Sequence, residues 1–230
     1  MKSPGLFVAA VAATCGVAAP VLGGVDPGVA TAPRMEFVPP AAGTYRLQRI
    51  QAVADAVLLD TTGRARHLSD ATTGKITLLT FFYANCADPL GCPFVYGTMH
   101  RLRGRLAPEP GVAGHVRFVS VSLDPTNDTP QALADYSRTM TPSNAIDWQF
   151  LTARSVRELV PVLDDFGQDV AVEVDSRGRP TRALHHMLKL FLIDGRGTVR
   201  EIYTLAFLQP EVIANDIKTL LAERASHASR

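Results

Sequence analysis

Between residues 45 and 223 the chain alternates continuous apolar runs with stretches whose apolar positions recur every three or four residues. Ile76–Tyr83 (ITLLTFFY) is an unbroken β-branched and aromatic run, the composition a strand buried on both faces requires. In Pro93–Leu106, Val95, Met99, Leu102 and Leu106 are spaced four, three and four apart, which puts them on one helical face. Val116–Leu123 (VRFVSVSL) predicts a second buried strand. Thr129-Pro130 then opens a helix, with Thr129 as N-cap and Pro130 in the first helical position. A helical pattern follows in Ser155–Phe166, and Pro161 is expected to kink or split it. Met187–Ile193 and Thr198–Tyr203 flank Asp194-Gly195-Arg196-Gly197, a hairpin signature. Val212, Ile213, Ile217, Leu220 and Leu221 mark Pro210–Leu221 as a closing amphipathic helix. Parallel strands joined by helices and then an antiparallel pair predict one α/β domain of thioredoxin-like fold. Its central mixed sheet is flanked by helices. Tyr45–Asp60, with the turn at Thr62-Gly63, is expected to add an N-terminal β-hairpin extension.

The N-terminus has a different texture. Lys2 precedes the Ala/Val-rich run LFVAAVAATCGVAAPVLGG, and the first acid is Asp26. One positive charge, a short apolar stretch and small residues form a secretory signal. Gly16 and Pro20 make an ordinary spanning helix a poorer reading, although an uncleaved anchor is the alternative. Cys15 is preceded by Ala12-Ala13-Thr14, a poor match to a lipoprotein cleavage box. Residues 25–44 are rich in Pro, Ala and Gly without periodicity and read as a linker. The expected organisation is therefore 1–24 signal peptide or membrane anchor, 25–44 linker and 45–230 the folded domain. The expected location is outside the cytoplasm, in the periplasm or anchored to the outer face of the inner membrane.

Composition excludes more than it identifies. Of 230 residues, 47% are hydrophobic and 20% charged, which excludes a disordered chain. Lys+Arg 23 against Asp+Glu 22 leaves a formal charge of +1, a balance that predicts no electrostatic footprint for nucleic acid and no polybasic membrane patch. Export does change how the cysteines are read. Setting Cys15 aside in the leader leaves Cys86 and Cys92, and an oxidising compartment invites a disulfide between close cysteines.

Cys86 and Cys92 sit in YANCADPLGCPF, between the first buried strand and its helix. Open α/β folds place ligands at such a turn, at the carboxyl edge of the sheet. Cys92 precedes Pro93, so the helix dipole is expected to lower its thiol pKa and favour the thiolate. Three readings stay open: a structural disulfide, a thiol-disulfide redox pair, and a metal site. The metal reading needs a third ligand, and His185-His186 directly precedes the returning strand Met187–Ile193. Two thiolates with one imidazole are a soft set that suits Cu(I) and accommodates Cu(II) or zinc.

These segments resemble the Sco/SenC family of copper-binding, thioredoxin-like assembly factors, over roughly Gly43 to Ala222. Four stretches carry the likeness: Phe81–Pro93 (FFYANCADPLGCP), Val121–Pro130 (VSLDPTNDTP), Asp147–Thr152 (DWQFLT) and His186–Gly197 (HMLKLFLIDGRG). The resemblance implies copper ligation by Cys86, Cys92 and His186. It also implies delivery of copper to, or thiol reduction of, the copper site of cytochrome c oxidase subunit II, with another copper enzyme as an alternative acceptor. Two positions depart from the family pattern. Five residues separate the cysteines where three are commonest, and His185 stands where the family usually has Asp, which adds an alternative ligand.

Other residues have structural readings. Asp128 is expected to cap the helix or order the turn, and neither it nor Asp124 suits soft copper. Trp148 and Phe150, and Met99 and Met187, are expected in the core. The runner-up function is an exported thiol-disulfide oxidoreductase acting through a mixed disulfide of Cys86 or Cys92. Thioredoxin-like exchangers carry a proline just before the returning strand, whereas this chain has His185-His186 there and its nearest proline is Pro180. A peroxide-reducing thiol enzyme is weaker still, since Tyr83-Ala84-Asn85 precedes the first cysteine.

Overall fold

The computed structural model describes residues 37–86, 91–141 and 146–228. The elements run β1 (Gln51–Ala52), β2 (Val57–Asp60), β3 (Ala65–His67), α1 (Leu68–Thr72), β4 (Ile76–Phe82), α2 (Cys92–Leu106) and β5 (Val116–Ser122). They continue with α3 (Pro130–Met140), β6 (Asp147–Thr152), α4 (Val156–Asp165), β7 (Val170–Val174) and β8 (Pro180–His186). The last are β9 (Lys189–Ile193), β10 (Thr198–Thr204) and α5 (Pro210–Ala228). The leader and most of the linker lie outside the described residues. No described helix is long and apolar enough to cross a membrane.

Eight strands form one mixed sheet in the order β1-β10-β9-β4-β5-β6-β2-β3. β4, β5 and β6 are parallel, and β9 returns antiparallel to β4 with Thr80 opposite Leu190. Every residue of β4 and β5 is buried, as their unbroken apolar runs require. Alternation along β4 divides two cores. Ile76, Leu78 and Phe82 pack under α2, α3 and α5, while Leu79, Phe81 and Tyr83 pack under α1 and α4. The predicted α2 face (Val95, Met99, Leu102, Leu106) is fully inside, each such side chain contributing roughly 1.5–3 kcal/mol. Trp148 and Phe150 are core residues, and the Trp148 indole donates to Ser120 Oγ at 3.0 Å.

Several expectations change. The N-terminal hairpin forms at the expected Thr62-Gly63 turn, as β2–β3, but its first strand is only Val57–Asp60 and it joins the main sheet beside β6. Pro161 does not split α4, which runs through it; burial of Leu159 and Val162 holds the helix despite the missing N–H. Asp147–Thr152 is a third parallel strand that the periodicity did not single out. A second hairpin, β7–β8, stands apart as a two-stranded sheet, turning at Asp175–Gly178 with Gly178 at φ +74°. In β10 the register slips between Val199 and Glu201, so Arg200 is the extra residue of a β-bulge.

Candidate metal centre

The β4 chain leaves the sheet at Tyr83 and turns at once, with Cys86 N–H donating to Tyr83 C=O at 3.2 Å. Asp128 fastens this turn to the neighbouring strand. Its carboxylate accepts from Ala84 N–H at 3.0 Å and from Ser122 Oγ at 2.6 Å, and it is only 3% exposed. Burial pushes its pKa up. The cap of α3 falls to Thr129, which accepts from Ala132 N–H. Asp128 thus orders the cysteine turn and does not cap the helix. Asp124 closes a local turn by accepting from both nitrogens of Asn127.

Cys92 is the first residue of α2, beside Pro93 and after the N-cap Gly91. Both Cys86 and Cys92 are thiols, with no disulfide between them. Cys92 is buried and Cys86 half-buried. The thiols hydrogen-bond each other, and that contact together with burial pushes the Cys92 pKa up. The expected lowering does not survive: the dipole of one helix end is outweighed by a neighbouring sulfur and lost solvation. Of the five intervening residues, 87–90 lie outside the described ones.

Tyr83 stands between the thiols and the histidine. Its hydroxyl accepts from Leu184 N–H at 3.4 Å, and its ring lies 6.2 Å from that of His186 at 73°. Burial, together with contact with Cys86, pushes its pKa up to about 12. His186 ends β8 half-buried, with Nδ1 inside, whereas His185 is exposed, as alternation along a strand demands. On the far side of His186, buried Gln168 donates from Nε2 to Met187 C=O at 3.0 Å. Met187 itself is 61% exposed, a correction to its expected core position: the chain between β8 and β9 has left both sheets.

The structure therefore brings the two thiols together and puts His186 one aromatic ring away. As placed, no three His, Cys, Asp or Glu side chains among the described residues form a ready metal cage. Sequence reading missed Tyr83, whose aromatic run looks like core, and the β7–β8 arm that carries His186. The signal for the arm was the alternation in VAVEV followed by the DSRG turn.

A family model described as SCO1/SenC matches residues 47–222. A comparison with curated proteins finds no significant match. Among solved structures, ScoI of Bradyrhizobium japonicum with copper bound is 23% identical, with a TM-score of 0.58, covering 73% of this chain and 98% of its own. A SCO1/SenC family lipoprotein from Bacillus anthracis is 25% identical, with a TM-score of 0.60 over 74% of this chain and 95% of that one. BsSco, described with a disulfide switch, is 23% identical at a TM-score of 0.58, covering 76% and 98%.

Proposed function

The chain belongs to the SCO1/SenC family, and on that premise we propose that it is a copper chaperone. It binds one copper ion through Cys86, Cys92 and His186 and hands it to the copper site of cytochrome c oxidase subunit II, outside the cytoplasm. The observation that carries this reading is the contact between two thiols beyond the end of β4, with Tyr83 touching both Cys86 and the His186 ring. Similar structures support it, being described with copper bound or as members of a family of cytochrome c oxidase assembly proteins.

Contact with Cys86 and burial disfavour the Cys92 thiolate in the absence of a cation, and a bound cation reverses that balance. Copper is here the cargo. Two thiolates would fix it, and His186, carried on its arm, would supply the imidazole. Oxidation of Cys86 and Cys92 to a disulfide removes both sulfur ligands, so redox state would gate loading. The same raised Cys92 pKa weakens the exchanger reading, because attack on a disulfide needs the thiolate.

The test is a Cu(I) titration of the reduced protein and four alanine variants. One tightly held copper is expected, lost in Cys86→Ala and in Cys92→Ala. His186→Ala should weaken it by more than the roughly 10–100-fold typical of an outer-shell partner, and His185→Ala should leave it unchanged. Weak binding that ignores both histidines would overturn the proposal and turn attention to disulfide exchange.

A further inference from the structure

At the end of the sheet opposite the thiols, a cavity of about 580 Å³ opens between the start of β4, the β9–β10 turn, the segment before β1 and the last turns of α5. Its lining is unlike the rest of a chain whose overall charge is +1. Five arginines face it, Arg46, Arg49, Arg196, Arg200 and Arg224, against two carboxylates, Asp194 and Glu223, a local surplus of three positive charges.

The two carboxylates are already engaged. Arg200, 7% exposed, holds Asp194 at 3.1 Å and Glu223 at 3.0 Å. It also donates to the carbonyls of Leu47 and Gln48. Arg200 is thus structural, and it offsets one of the two acidic charges, leaving four rim arginines against the other. The rim arginines Arg46, Arg49, Arg196 and Arg224 are all exposed. Among the described residues, Arg46 and Arg196 form no side-chain ion pair. Arg49 reaches Asp194 only at 4.0 Å and spends one donor on Thr198 Oγ1 at 3.1 Å, and Arg224 spends one on Gly74 C=O at 2.9 Å. Each guanidinium offers five N–H donors in a fixed fork. Several such forks around one concavity match the tetrahedral oxygens of a phosphate better than any neutral or cationic ligand.

We propose that this arginine-lined cavity is a binding site for phosphate-bearing anions, separate from the thiol centre. Two sources share that chemistry: the headgroups of an anionic lipid surface and a soluble phosphate compound. The cavity wall at Arg46 and Arg49 belongs to the segment that follows the linker from the apolar N-terminal run. A lipid surface near that run would therefore meet this end of the molecule, with the thiols directed away from it.

The full chain is mixed with vesicles of phosphatidylcholine alone or with one-third phosphatidylglycerol, and titrated separately with inorganic pyrophosphate. The ratio of binding to the two vesicle types cancels any contribution of the apolar leader. The expected result is a preference for the anionic vesicles that falls about fivefold for each of Arg46→Gln and Arg196→Gln. Both positions are exposed, so unchanged circular dichroism and Tm certify the fold. Arg177→Gln and Arg182→Gln, on the β7–β8 arm, should keep the full preference. Loss of pyrophosphate binding in the rim variants with no vesicle preference would assign the site to a soluble phosphate ligand. Absence of both kinds of binding overturns the proposal, as does an equal loss in the arm variants. Either failure leaves the copper reading untouched, since the two sites share no residue.

Discussion

The two ends of the sheet are held by different means. At the arginine end a single buried side chain, Arg200, ties the segment before β1 to the β9–β10 turn and to α5 through charge-assisted bonds. At the thiol end the tethers are spread over several side chains, among them Tyr83 with Leu184, Gln168 with Met187, and Asp128 with Ala84 and Ser122. The β7–β8 arm is exposed over most of its length, and Val172 and Val174 are 54% and 57% exposed. Local opening follows such differences in buried contact. The comparison teaches that this fold keeps one end fixed and leaves the other adjustable, which suits the uptake and release proposed for the thiol end.

The largest effect should come from removing the fixed end. Arg200→Leu strands Asp194 and Glu223 without their partner and is expected to cost about 3–5 kcal/mol, read from chemical denaturation. Thiol alkylation rates in the still-folded protein should not change. If stability is unaltered, the contrast between the two ends is wrong.

Asp128→Ala should cost less, about 1–3 kcal/mol for two donors left unsatisfied, yet it should act on the site. With Ala84 N–H released, the cysteine turn loosens and Cys92 should be alkylated faster. An alkylation rate equal to wild type would show that Asp128 supports the strand only.

The smallest effect is expected on the arm. Val172→Thr and Val174→Thr should each change stability by no more than about 0.5 kcal/mol. Amide exchange should nevertheless find β7 and β8 opening well before β4 and β5. Arm amides as protected as those of β4 would remove the adjustable half of the comparison.

Much of the fixed framework was legible from sequence because burial on both faces leaves an unmistakable trace. The ITLLTFFY and VRFVSVSL runs, the four-three-four spacing in α2 and the Thr129-Pro130 start of α3 correspond to what is seen. The arm was harder to read for the opposite reason: its short alternation in VAVEV belongs to a hairpin exposed over most of its length, outside the main sheet. The meeting of Cys86 with Cys92 was accessible because both lie on one strand-to-helix turn. Tyr83 escaped because its ring looks like core while its hydroxyl does the positioning. Cys92 shows that a local rule, the helix dipole, yields to the atoms packed against it.

The bulge at Arg200 has a consequence for the strand itself. Val199 packs in the core under α1 and α4, whereas Tyr203, four residues on, packs in the opposite core and donates from its hydroxyl to Asp216 at 2.6 Å. Were Arg200 paired as an ordinary strand residue, with no bulge, the two would share a face. The slip therefore shifts the phase of everything downstream of it in β10. Substituting Arg200 removes a charge, but pairing it as an ordinary strand residue would send Tyr203 and Ile202 to each other's sides, a reading-frame error written in side-chain direction.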